Sequence, residues 1–458
     1  MIRLFYRGAF LLGFSLVFIM FAWSTGFISA TTDKVTAWAS CSAQARSHAP
    51  IPTTHFSRQN PASIKPLLTW TKVEGAVAYE VEILNKPPQN PDKLADYSSV
   101  FYTTNKVYVN GYNADLSGYF KGDSFYWRVR GLDVNRRPIS SFSEGQEVYI
   151  DTQQDFVQKP VITSFFNQSP GATLLYPVYA WIPIAGATQY EVEILDGLPE
   201  NPNDIDPSVH RIDSAIAVGF DYYDQAPRMS ENPFYWRVRG LDEEGNAVGV
   251  YSDAGRFSVN PTNHVDVATY GDSITHGGGS VSYSPADWEY SYQHYLDFPT
   301  INLGKSGDTA QTMVERFDQD VLPFHPQYLI IMGGSNSLRG GVTAEDVISD
   351  LKQLKEKCLA NDIRPVFLTL PSINPDNIKK VFDQPTAPGW QVQMRLVNDF
   401  IRTQVYVDVA NTMKSANGIL PTRLAVDGLH VDVEGKKKIA GAINKNWTRI
   451  TALPWENE

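Results

Sequence analysis

Four short stretches carry the residues of this chain that could do chemistry together. Tyr270-Gly-Asp-Ser-Ile-Thr-His-Gly-Gly-Gly279 follows a β-branched run and puts Ser273 at a strand end, between glycines that let other backbone approach closely. The spacing is not Gly-x-Ser-x-Gly, and alone the stretch reads equally well as a tight turn. The other three are Gly304-Lys-Ser-Gly-Asp-Thr309, Gly333-Gly-Ser-Asn-Ser337 and Asp427-Gly-Leu-His430. A serine hydroxyl needs a base, which His430 can supply near neutral pH, and Asp427 three residues earlier can hold the imidazole in one tautomer. Acyl transfer also needs donors for an oxyanion, and the N–H groups of Ser273 and Gly307 with the Asn336 amide would provide three. Each residue has a plainer use. Gly307 suits a strand-to-helix turn, Asn336 a cap, and Asp-x-x-His a surface turn. His276 is a rival base that would have to fold back over a short turn, while His294 and His325 have no carboxylate at a matching spacing.

The elements that must position these loops alternate. Apolar strand patterns at 265–270, 300–303, 328–332, 366–370 and 405–409 are separated by helical patterns at 308–321, 343–360 and 392–403, with a last helix at 433–447. Such alternation predicts a parallel sheet with helices on both faces, whose sites gather at the carboxyl ends of the strands. Upstream lies an internal repeat. Trp70, Tyr79-Glu-Val-Glu-Ile-Leu84 and Phe125-Tyr-Trp-Arg-Val-Arg-Gly-Leu-Asp133 recur as Trp181, Tyr190-Glu-Val-Glu-Ile-Leu195 and Phe234-Tyr-Trp-Arg-Val-Arg-Gly-Leu-Asp242. Period-two strands between Pro-, Asn- and Gly-rich turns predict a β-sandwich per copy. Trp70, Trp127, Trp181 and Trp236 are expected in the cores rather than in a sugar site, and Glu80, Glu82, Arg128 and Arg130 are expected as outward cross-strand pairs.

The repeats resemble fibronectin type III domains, with an early Trp, a Tyr-x-Val-x-Ile strand and a Tyr-Trp-Arg-Val-Arg strand over roughly 61–152 and 158–260. The four C-terminal stretches resemble the SGNH (GDSL-like) hydrolase family across roughly 262–455. They supply Gly271-Asp-Ser-Ile274, Asn302 to Thr309, Gly334-Ser-Asn336 and Asp427-Gly-Leu-His430 in the family's order. That resemblance implies a flavodoxin-like α/β/α fold and metal-free, cofactor-free ester hydrolysis through an acyl-serine. It also implies Ser273, Asp427 and His430 as catalytic residues and Ser273, Gly307 and Asn336 as the oxyanion hole. Ile274 replaces the usual Leu, and Ser337 stands where many members carry Asp.

At 458 residues the chain should hold two to four domains, and 43% hydrophobic with 19% charged residues describes a globular protein. A net charge of -11 argues against nucleic acid or an anionic membrane as partner. Arg3 and Arg7 precede an apolar run from Ala9 to Trp23, the layout of a secretory signal or, as the competing reading, an uncleaved anchor; both imply export, to the medium, the periplasm or the cell surface. Two cysteines, Cys41 and Cys358, indicate neither a structural disulfide nor a metal site.

The expected organisation is therefore a signal at 1–30, a linker at 31–60, fibronectin type III-like domains at 61–152 and 153–260, and an SGNH/GDSL-like hydrolase domain at 261–458. The expected activity is that of an exported esterase releasing short acyl groups, acetyl above all, from polysaccharide. The repeats would contact cell-surface glycan or protein, and the hydrolase domain would act on small esters without residues 31–260. A lipid esterase or lysophospholipase is the rival enzyme. A surface binding protein with a degenerate hydrolase domain is the alternative of another class.

Overall fold

Five short apolar runs in the C-terminal half pair side by side as a parallel sheet. They are Val267–Gly271 (β1), Ile301–Asn302 (β2), Tyr328–Met332 (β3), Arg364–Leu368 (β4) and Tyr406–Val407 (β5). Their order across the sheet is β2-β1-β3-β4-β5, the doubly wound order in which the chain reverses direction beside its first strand. Register is set by pairs such as Ala268↔Ile301, Thr269↔Ile330, Ile331↔Phe367 and Leu368↔Val407. Every residue of β1 and β3 is buried, as expected of strands covered on both faces.

The structure is a computed structural model and describes residues 48–133, 135–278 and 287–454. The N-terminal signal, Cys41, most of the expected linker and Gly279 lie outside the described residues. Helices follow the strands: Ser273–His276 (α1), Ala310–Asp320 (α2), Ser335–Arg339 (α3), Ala344–Leu359 (α4), Pro375–Phe382 (α5), Trp390–Ile401 (α6) and Val433–Thr451 (α7). Thr309 opens α2 with a reciprocal capping box to Thr312, and Thr343 caps α4. α2 packs on α4 and α4 on α6, whereas α7 packs on the short turns Trp288–Tyr290 and Tyr292–Tyr295. The one-turn α1 and α3 and the eight-residue α5 carry no long apolar periodicity, so the sequence pattern does not mark them as helices.

Each N-terminal repeat forms two antiparallel sheets. In the first, Ala78–Leu84 lies between Val100–Val107 and Ser124–Leu132, with Gln146–Tyr149 beyond, and Leu67–Thr69 pairs with Gly111–Asn113. In the second, Gln189–Leu195 lies between Arg211–Ala217 and Phe234–Leu241, and Val178–Ile182 lies between Val161–Ile162 and Asp221–Tyr223. All four repeat tryptophans are buried. The charge pairs form in register, Glu80 opposite Arg130 and Glu82 opposite Arg128, then Glu191 opposite Arg239 and Glu193 opposite Arg237. They are not outward, however, because Glu82, Arg128, Glu193 and Arg237 are each 2% exposed or less. A loop roofs each pair: Arg128 donates to the carbonyls of Asn90 and Lys93, and Arg237 to those of Asn201 and Asp206. Carbonyl acceptors and the carboxylate together satisfy the buried guanidinium, which alone would be costly to desolvate.

Two expected boundaries move. Residues inside the expected linker already pair with the first repeat, through Thr53 N to Thr69 O at 2.8 Å and Pro52 bridging Trp70. At the other end, residue 260 is not where the sheet domain becomes independent. Asn302 of β2 donates to the Thr173 carbonyl at 2.9 Å, and its own carbonyl accepts from Leu175 N at 3.0 Å. Thr173–Leu175 thus adds to the edge of the parallel sheet, and one apolar core runs from Leu174, Tyr176 and Trp181 to Val267, Ile301 and Phe317. The first repeat has a core of its own. Its contacts with the C-terminal part are lighter: Lys72 pairs with Asp287 and Glu289, Glu74 with Lys437, and Val77 packs near Tyr290 and Val433.

Candidate active site

The carboxyl ends of β1, β2 and β3 converge because their backbones come very close there. A Cβ on Gly271 would lie 2.1 Å from the Met332 carbonyl oxygen, so only glycine lets the end of β1 meet that of β3. The next residue, Asp272, caps α1 by accepting from Ile274 N at 3.0 Å, and burial pushes its carboxyl up to about 6. Ser273 is therefore the first residue of a single helical turn rather than part of an open turn, and Gly277 closes that turn with its N–H on the Ser273 carbonyl.

His430 lies beyond the strands, just before α7. Its Nε2 stands 2.9 Å from Ser273 Oγ, and its Nδ1 stands 2.8 Å from Asp427 Oδ2. Asp427 Oδ1 accepts the N–H groups of Leu429 and His430, both at 2.8 Å, so the carboxylate is fixed before it meets the ring. A carboxylate that only accepts assigns the proton to Nδ1 and leaves Nε2 to accept from the serine. Asp427 is 1% exposed, Ser273 reaches the surface at 9%, and the Phe382 ring stands edge-on to the imidazole.

The expected oxyanion donors stand on the loops that follow β2 and β3, at the same edge of the sheet as Ser273. Gly307 sits at φ +92 with open space where a Cβ would be, a backbone conformation that favours glycine and leaves its amide face clear. Neither Ser273 N nor Gly307 N donates to a protein acceptor among the described residues. Asn336, in α3, spends one amide hydrogen on the Asp308 carbonyl at 2.9 Å and keeps the other. Ser337 accepts from Ala310 N at 3.0 Å, so at this position it supports the start of α2.

His276 is not a base for Ser273. Both its nitrogens are engaged elsewhere, Nδ1 with Ser306 Oγ at 2.9 Å and Nε2 with the Tyr176 carbonyl at 2.7 Å. His294 and His325 do not join the site either; the His294 ring packs on Tyr295, and His325 takes a left-handed conformation ending a short turn.

The model of the GDSL-like Lipase/Acylhydrolase family matches residues 269–438. This segment is a GDSL-like lipase/acylhydrolase domain, a hydrolase acting on ester bonds. Among solved structures, a GDSL-like lipase from Bacteroides thetaiotaomicron is similar at 20% identity and a TM-score of 0.33, over 40% of this chain and 87% of that one. An acetylxylan esterase from Geobacillus stearothermophilus is similar at 18% identity and a TM-score of 0.30, over 42% and 95%. No curated protein matches the chain.

Two cations of the acylhydrolase domain that the sequence pattern does not single out, the buried Lys436 and the largely buried Arg316, also support the site. Arg316 of α2 gathers strand ends and carboxylates: its guanidinium meets Asp308 at 2.6 Å, Asp320 at 2.7 Å, the Leu303 carbonyl at 2.9 Å and the Gly271 carbonyl at 3.2 Å. Burial still holds the Asp308 carboxyl above its ordinary value, against the pull of Arg316. Lys436 of α7 donates to the Ile274 carbonyl at 2.8 Å, beside the serine, and burial pushes its ammonium down to about 7. A signal for Lys436 was present, since it shares a helical stripe with the buried Ile439, Ala440 and Ile443.

Proposed function

We propose that this protein is an exported serine esterase that removes short acyl groups, acetyl in particular, from carbohydrate. The observation that carries the mechanism is the unbroken chain from Ser273 Oγ through His430 to Asp427 Oδ2. In this reading Ser273 Oγ attacks the ester carbonyl carbon while His430 Nε2 takes the hydroxyl proton, and Asp427 holds the resulting imidazolium. The N–H groups of Ser273 and Gly307 and the free amide hydrogen of Asn336 stabilise the oxyanion. Collapse breaks the bond to the alcohol oxygen, which leaves with the proton from His430. A water, deprotonated by the same ring, then frees the acid and restores the serine.

Export is read from the N-terminal charge and apolar pattern, and the two sandwiches are read as fibronectin type III-like modules. The carbohydrate substrate rests on those features and on the resemblance of Gly-Asp-Ser-Ile-Thr to carbohydrate esterases, which is analogy rather than site chemistry. Acetate release from acetylated polysaccharide, run beside a panel of p-nitrophenyl esters from acetyl to palmitoyl, tests both levels. The expected result is acetate release, with turnover falling steeply along the panel and abolished in Ser273→Ala. Best turnover on long chains would replace the carbohydrate reading with a lipid esterase, and a fully active Ser273→Ala would remove the serine mechanism.

A further inference from the structure

The oxyanion loop does not stand on the acylhydrolase domain alone. We propose that His276 is a positioning residue that clamps this loop between the nucleophile turn and the second sandwich, making that sandwich a working part of the active site. The inference rests on the serine-esterase reading.

Four attachments meet at His276. It is the last residue of α1, three residues after Ser273, so its backbone moves with the nucleophile. Its own carbonyl accepts from the Asn302 side chain at 2.9 Å, tying α1 to the end of β2. The Tyr176 carbonyl has no proton to give, so His276 Nε2 must carry the hydrogen of that bond. The neutral ring then has only a lone pair at Nδ1, and the Ser306 hydroxyl must donate to it. Ser306 directly precedes Gly307, so the imidazole fixes the peptide that presents the Gly307 N–H.

Both anchor points are firm. Tyr176 belongs to the second sandwich, and its hydroxyl donates to Asp320 Oδ2 at 2.7 Å, in the cluster that Arg316 gathers. Lys305, next to Ser306, lies over the Tyr176 ring at 4.7 Å and donates to the Gln225 carbonyl at 3.2 Å. The Tyr223 ring closes over His276 edge-on at 6.0 Å. Burial first, then Arg316, Lys436 and Lys305, push the imidazole down to about 4 against the Tyr176 bond, so the ring is neutral at working pH and Nδ1 stays an acceptor. A clamp of this kind matters because a small displacement of an oxyanion donor costs rate rather than binding.

Substitutions separate the two bonds in the full-length chain. His276→Gln keeps a donor near the Nε2 position and loses the acceptor for Ser306, whereas His276→Asn keeps an acceptor near Nδ1 and loses the bond to Tyr176. With p-nitrophenyl acetate, His276→Gln and Ser306→Ala should each lower kcat by about tenfold or more with KM changed by less than about twofold. His276→Asn, which keeps Ser306 and gives up the sandwich, should lower kcat by a smaller factor, about three- to tenfold, with KM likewise little changed, and native kcat there would take the sandwich out of the site. Native kcat in both His276→Gln and Ser306→Ala would overturn the proposal. So would a kcat that falls in step with melting temperature in all three variants, His276→Asn included, because that is the signature of a merely structural ring. Ser273→Ala, assayed alongside, reports on the serine reading alone and separates its failure from that of the clamp.

Discussion

Cutting the chain at the boundary its sequence suggests should unfold the acylhydrolase domain, whereas cutting one repeat earlier should not. A protein of residues 261–458 loses Thr173–Leu175 from the edge of β2, along with the Tyr176 hydroxyl on Asp320 and the Tyr176 carbonyl on His276. Four hydrogen bonds at ~1 kcal/mol each come to ~4 kcal/mol. Leu174, Leu175 and Tyr176 are at most 3% exposed, and half of their burial counted against the sheet domain adds ~2–4 kcal/mol. The sum, ~6–8 kcal/mol, is comparable with the ~5–15 kcal/mol that stabilises a whole domain. It also bares the unpaired edge of β2, an invitation to aggregate. A protein of residues 153–458 keeps all of these contacts and gives up the partly exposed pairs of Lys72 with Asp287 and Glu289 and of Glu74 with Lys437, together with the first repeat's hold on the second, Asn113 Oδ1 accepting from Ala185 N at 2.9 Å and Tyr108 stacked on Phe220. Both proteins would be followed by gel filtration, thermal melting and p-nitrophenyl acetate hydrolysis. The longer one should melt cooperatively and turn over the ester, and the shorter one should aggregate or melt without a transition. A soluble 261–458 with a cooperative melt and native kcat would refute the reasoning.

Asn336→Ala should lower kcat by about 10²–10³ with the fold intact, since it removes one charge-facing donor; a native rate in steady-state kinetics would take Asn336 out of the oxyanion hole. Tyr176→Phe should destabilise the protein by about 1.5–3 kcal/mol in urea unfolding, because the buried Asp320 carboxylate loses a donor and its Oδ1 has no partner among the described residues; an unchanged midpoint would show the hydroxyl to be dispensable. His276 also has a pH consequence. Its folded value near 4 lies below the free 6.5, so between those values the unfolded chain takes up a proton that the folded one refuses, and the ring's contribution to stability falls with pH. Asp272, held up to about 6, works in the opposite sense, but it is common to native and variant proteins. The stability gap between native protein and His276→Asn should therefore shrink by roughly 3 kcal/mol from pH 7 to pH 4; a gap constant with pH in urea titrations would contradict a neutral buried ring.

Local pattern carried a large part of this protein. Apolar runs of strand length alternating with periodic helices are properties of neighbouring residues, and they suffice to place Ser273, Gly307 and Asn336 after successive strands. Asp427 and His430 are three residues apart, so their pairing too is nearly local, and the repeated Trp and Glu/Arg positions follow from strand alternation. What the pattern could not carry depends on which surfaces meet. Glu82 and Arg128 looked like an outward pair because their burial is supplied by the loop around Asn90 and Lys93. His276 reads locally as a rival base because the carbonyl that claims it belongs to Tyr176, a hundred residues away in the second sandwich. A sheet edge offers only backbone donors and acceptors, which every sequence has, so nothing in Thr173-Leu-Leu175 announces that it will pair with Asn302. The residues that can do the chemistry are thus written in the chain, while the wall that holds their loop in place exists only once the second sandwich has joined the sheet.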